Sequence, residues 1–148
     1  MENNILKRSL KTQQTTAPMK DNSLSAKTAA CVSEMMNAGT SLHKLHLKVT
    51  GLASYAAHKA LNNIYDAFPE HADDLAEEYQ GAAEELLVYQ DVPPKSLQTV
   101  EEGLQYLRDM KDMVTNLQSI MPYSEIVNSL DTAKSSINSA KYKLLFLK

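Results

Sequence analysis

Four side chains in this sequence have types and spacings suited to metal chemistry: His46 and His58, twelve residues apart, and Asp73 and Glu77, one helical turn apart. Imidazoles and carboxylates together bind iron, zinc or manganese, and helix bundles commonly house such sites. Each histidine stands six residues from position 52, so a helical hairpin turning there sets the two imidazoles opposite each other. Asn62 and Asp66, one and two turns after His58, extend a polar strip along the same face. Asp73 lies fifteen residues past His58, about 22 Å along one helix at a rise of ~1.5 Å per residue. One chain therefore cannot bring all four groups to one ion. They converge only if an antiparallel copy of the helix, in a second chain related by a two-fold axis, supplies the carboxylates.

Helices have to position these groups. Leu24, Thr28, Cys31, Met35, Ala38, Leu42, Leu45 and Val49 alternate in steps of four and three, which predicts a first helix over about 23–50 with one buried stripe. Gly51 then supplies the residue that most readily turns left-handed after a helix end. A second helix starts near Leu52, with Leu52, Ala56, Ile64, Phe68, Leu75 and Tyr79 on its apolar side. Pro69 falls inside it, removing a backbone hydrogen bond and crowding the preceding turn at a cost of about 3 kcal/mol, so a bend is expected near Phe68. The stretch EYQGAAEELLVYQDVPP predicts the end of this helix and a short helical crossover closed by Pro93 and Pro94. TVEE, residues 99–102, has the form of a capping box and opens a third helix to about Ile120. A fourth runs from about Ser124 to the chain end, with Ile126, Leu130, Ala133, Ile137, Ala140 and Leu144 three and four apart. No segment alternates with period two. The expected fold is all-α: a four-helix bundle over 23–148 with a long crossover between the second and third helices, after a basic tail over 1–22.

With 148 residues, the chain suits one domain with a real core. A net charge of −3 argues against nucleic-acid binding by the whole surface. Charge is segregated: no Lys or Arg occurs from Ala60 through Pro94, where nine Asp and Glu fall. The single cysteine, Cys31, forms no intrachain disulfide, and no stretch approaches the ~20 apolar residues that span a membrane, so a cytoplasmic, membrane-free setting is expected.

The stretch LHLKVTGLASYAAHKALNNIYDAFPEHADDLAEE resembles the signature of Dps proteins, ferritin-like proteins that protect DNA during starvation: His46, Gly51, His58, Asp73, Ala76 and Glu77 match without a gap. The resemblance implies a ferritin-like four-helix bundle and a ferroxidase centre shared between two subunits, with His46 and His58 from one chain and Asp73 and Glu77 from its mate. It also implies a homo-oligomer, at least a dimer and up to a hollow dodecamer, that oxidises Fe(II), usually with hydrogen peroxide, and stores the product. The metal is then iron or another divalent ion.

The sequence departs from that pattern at three places. Asn62 stands where the family has an Asp ligand and joins the candidate metal residues as a neutral, weak or lost ligand; Leu47 replaces an aromatic, and Pro69 lies between the two halves of the site. LAEEYQG and the C-terminal segment from Tyr123 also resemble small ferritin-like proteins of tailed bacteriophages. The competing expectation is thus a non-enzymatic helical structural or interaction protein that keeps the bundle and has lost the iron chemistry. In it His46 and His58 are an ordinary hydrogen-bonded pair, and His43 and His71 are surface groups in either case. The tail cations Lys7, Arg8, Lys11 and Lys20 are candidates for non-specific DNA contact through phosphate neutralisation.

Overall fold

A Ser-capped start, long three-and-four spacing and proline breaks yield four helices in the computed structural model, which describes residues 23–147. They are α1 (Leu24–His46), α2 (Ser54–Ala83), α3 (Val100–Gln118) and α4 (Ser124–Phe146). Among the described residues there is no strand. Ser23 Oγ accepts from the Ala26 amide at 3.1 Å to open α1. Thr99 Oγ1 accepts from the Glu102 amide at 3.1 Å to open α3. The Glu102 carboxylate reaches back to the Gln98 amide at 2.7 Å, one residue beyond the usual capping-box partner.

Each helix packs on two neighbours: α1 on α2 and α3, and α4 on α2 and α3. The cross-helix hydrogen bonds fix the directions. His46 meets His58, His71 meets Ser136, Tyr106 meets Glu34 and Lys111 meets Asn138, so every neighbouring pair is antiparallel. Met35, Leu42, Phe68, Leu107, Met110 and Ile137 fill the space between the helices and are fully buried. Each such side chain contributes about 1.5–3 kcal/mol relative to exposure. All six apolar residues expected to line α4 are buried.

Antiparallel neighbours require the chain to return along the bundle between α2 and α3. Residues 84–99 do this without helical structure, against the expected helical crossover. Three side chains of the α1 region hold it in place instead. Asn37 Nδ2 donates to the Val92 carbonyl at 2.8 Å, Ser41 Oγ accepts from the Lys95 amide at 2.9 Å, and Lys48 Nζ donates to the Leu97 carbonyl at 3.0 Å. These anchors satisfy three of its backbone groups and tie it to α1 and the turn that follows.

Two further expectations change. Leu52, assigned to the apolar side of α2, is fully exposed because it sits in the α1–α2 turn, before the helix begins. That turn uses positive φ at Gly51 (94°) and Ala53 (63°). Pro69, expected to bend or interrupt α2, lies inside one unbroken 30-residue helix. The buried Phe68 and Ala72 hold the turn in the core on either side, offsetting the bond that the Tyr65 carbonyl, four residues before Pro69, loses to proline. Gly39 of α1 lies opposite, where a Cβ would stand 3.4 Å from the Pro69 ring, at ordinary contact distance.

Candidate metal site

The α1–α2 hairpin sets His46, in the last turn of α1, against His58, in the first turns of α2. Their Nε2 atoms are 2.9 Å apart and the rings lie 3.7 Å centroid to centroid, tilted by 31°. At this distance one neutral ring donates and the other accepts. Two nitrogens each ~2.05 Å from one ion and at right angles about it are separated by about the same distance. The pair as folded therefore has the spacing of two ligands of one metal.

His46 is buried, with only 7% of its surface exposed. Burial holds its pKa below the ordinary imidazole value, with His58 and His43 pushing the same way and the negative Asp66 opposing them. The imidazole is therefore neutral near pH 7, the form that ligates a metal. Its Nδ1 is buried without a hydrogen-bond partner. An unsatisfied buried polar atom costs about 1–3 kcal/mol. Nδ1 lies on the far side of the ring from His58, so the two Nε2 atoms alone are the nitrogens that fit a shared ion.

A polar shell surrounds the pair. His43 stacks on Tyr65 at 4.0 Å with planes 9° apart, and the Tyr65 ring stands edge-on to His46 at 5.1 Å. Tyr65 Oη donates to Asn62 Oδ1 at 3.0 Å, and Asn62 Nδ2 donates to Asp66 Oδ2 at 2.8 Å. His43 is exposed, as expected, yet it belongs to this cluster. The signal for Tyr65 was legible: it stands two turns from His58 and three residues from Asn62, on the face that carries both.

Asp73 and Glu77 are exposed on the far half of α2. Because α2 is continuous, His58, Asn62, Asp66, Asp73 and Glu77 fall within about 100° of one another around its axis, at ~100° per residue. The two carboxylates line a groove of about 660 Å³ between α1, α2 and the crossover, together with Met36, Tyr89 and Val92. Met36 is 45%, Tyr89 46% and Val92 50% exposed, which leaves apolar surface open beside the acids. Among the described residues no three His, Cys, Asp or Glu side chains converge. The fold thus assembles the histidine half of the expected site and leaves the carboxylate half apart from it.

Two other expectations are settled by burial. His71, expected at the surface, is half-buried: its Nε2 lies 2.9 Å from Ser136 Oγ, because the α2–α4 contact closes over it, and burial lowers its pKa. Cys31 is buried, and desolvation pushes its thiol up to about 12, consistent with an inert core residue. Lys7, Arg8, Lys11 and Lys20 lie outside the described residues. No described helix is long and apolar enough to cross a membrane.

A family model described as a family of unknown function, DUF5856, matches residues 46–144, well over half the chain, and the chain belongs to that family. The matched span holds both histidines and both carboxylates. No curated protein and no solved structure matches the chain.

Proposed function

We propose that this chain is a ferritin-like, metal-binding protein whose site is shared across a two-fold dimer. His46 and His58 from one chain and Asp73 and Glu77 from its mate bind Fe(II) as the substrate, with Asn62 beside them in a positioning role. The observation that carries the reading is the 2.9 Å approach of two imidazole Nε2 atoms at a buried position. Three others support it: the all-antiparallel neighbour pattern with a crossover between α2 and α3, the shared face of His58, Asp73 and Glu77 on one continuous helix, and the open apolar surface beside the carboxylates. Apolar surface next to unpaired acids is what a second copy would cover.

In this reading the protein binds and orients. His46, held neutral by burial, and His58 supply nitrogen ligands, and the mate's carboxylates supply the negative charge that favours Fe(III) over Fe(II). Each hydrogen peroxide takes one electron from each of two Fe(II), takes up two protons and leaves as water. Protection against oxidative damage and storage of the oxidised iron, in a dimer or in a larger shell, follow as the function. DNA contact through the basic tail belongs to the same proposal.

A second reading is favoured by Asn62, whose amide is engaged at both ends by Tyr65 and Asp66 and is not free to ligate. Under it the bundle is a non-enzymatic scaffold or interaction protein. Anaerobic Fe(II) titration of the metal-free protein, followed by peroxide, separates the two. Saturable binding and rapid oxidation that vanish in His46→Ala/His58→Ala support the ferroxidase reading. Absence of binding in the native protein supports the scaffold.

A further inference from the structure

We infer that copies of this chain join end to end: the elbow over residues 84–88, just past α2, seats in an apolar groove at the opposite end of the bundle of a second copy. The inference goes beyond the metal-binding reading and uses none of its ligands.

The elbow is built to be held out. Glu84 ends α2 in the left-handed region, at φ 54°, where glycine rests most easily. The chain then folds back on the last turns of the helix. Tyr79 Oη donates to Glu85 Oε1 at 3.2 Å, the Leu87 amide donates to Gln80 Oε1 at 3.0 Å, and the Leu87 side chain is buried. With Leu87 held inward, its neighbours Leu86 and Val88 stand outward, both 82% exposed. The result is a fixed apolar knob with two exposed carboxylates at its base. A segment already held in place loses little freedom on binding.

The groove lies where the α1–α2 turn, the start of α3 and the end of α4 meet. It encloses about 560 Å³ and is lined by Leu52, Ala57, Val100, Leu104, Leu145 and Leu147. Leu47, Tyr55 and Phe146 are exposed around it. Charge is matched to the knob. In the turn and the seven residues of each helix nearest this end, Lys44, Lys48, Lys59, Lys141 and Lys143 stand against Glu101 and Glu102. Over the same span at the far end, elbow included, Glu77, Glu78, Glu84, Glu85, Asp112 and Glu125 stand against Lys27. Among the described residues the one ion pair is Lys134–Asp131, so none of these groups is ion-paired within the chain. Each end thus carries the complement of the other in both charge and apolar surface, which favours a second copy as the occupant. One chain cannot fill its own groove, because α2, with 30 residues, separates the two by about 45 Å. The contact is heterologous, closing into a ring or running on as a chain of copies.

The test uses the full chain, with mass followed by sedimentation velocity against concentration at low and high salt, and helix content by circular dichroism. The mass of the native chain should grow with concentration, more at low salt than at high salt. Leu86→Ser/Val88→Ser should raise the concentration at half assembly about tenfold or more. Leu52→Ser, at a fully exposed site in the turn, should do the same from the groove side with helix content unchanged. Lys141 and Lys143 lie one turn before Leu145 and Leu147. Glu84→Lys/Glu85→Lys and Lys141→Glu/Lys143→Glu should each block growth alone and regain it when mixed. Growth that survives both the elbow and the groove variants would overturn the contact, as would a native chain that stays a monomer or dimer at low salt. Binding to vesicles that contain anionic lipid, without self-association, would give the groove to a membrane surface and overturn it too.

Discussion

The two halves of α2 carry the same kinds of polar side chain and are treated differently by the fold. In the first half, His58 meets the buried His46 of α1, and Tyr65, stacked on His43 of α1, is linked through Asn62 to Asp66. In the second half, Asp73 and Glu77 face an open groove, and neither appears in a hydrogen bond or ion pair among the described residues. The difference teaches where preorganisation comes from. Side chains set between two helices of one hairpin are held by the folding of that hairpin, whereas Asp73 and Glu77 stay solvated on an exposed face.

The strongest way to break the comparison is to remove the scaffold both halves share. Phe68 is fully buried between them, and Phe68→Ala should cost about 3–5 kcal/mol in denaturant unfolding and loosen both ends of α2. An unchanged midpoint would mean that α2 is not the common support. Next in size is the histidine pair. Removing groups that merely support a ligand costs about 10–100-fold in metal affinity. His46→Ala/His58→Ala, which removes the ligands themselves, should cost more than about 100-fold by calorimetry. Asp73→Asn/Glu77→Gln should cost on the order of tenfold or more in affinity, yet barely move the melting temperature, because both side chains are exposed.

Acidity sharpens the contrast in a smaller way. His46 and His71 both have pKa values lowered by burial, so the folded state favours their neutral forms. Their contribution to stability is full above the ordinary imidazole value of about 6.5 and is lost as pH falls through the lowered folded values. Thermal melting between pH 7.5 and 5 should therefore show a decline that His71→Gln reduces. Asp73→Asn/Glu77→Gln should leave that decline intact. The smallest expected effect is Tyr65→Phe, which removes one hydrogen bond and should cost about 1 kcal/mol in unfolding.

Much of this was legible in the residues. The steps of three and four along α1 and α4 and the break at Pro122 place those helices to within a few residues, because the same spacing that reveals a buried stripe also causes its burial. The meeting of His46 and His58 was legible from their symmetry about position 52, where the α1–α2 hairpin was expected to turn. What local pattern could not show was decided by partners distant in sequence. Pro69 stays within α2 because Phe68 and Ala72 beside it are buried against the other helices. The crossover does without a helix because Asn37, Ser41 and Lys48 satisfy its backbone. His71 is half-buried because Ser136 comes to it from α4. Distance along the helix keeps Asp73 and Glu77 away from the histidine pair of their own chain.

The most direct test of a site shared between chains is complementation. His46→Ala/His58→Ala and Asp73→Asn/Glu77→Gln should each fail to oxidise Fe(II) alone. After subunit exchange, verified by mass, every mixed dimer carries one site with both histidines and both carboxylates intact. Random pairing should then restore about a quarter of the native sites, read as peroxide-dependent Fe(II) oxidation. Mixed dimers that stay inactive, or a native protein that binds and oxidises iron as a monomer, would contradict the account.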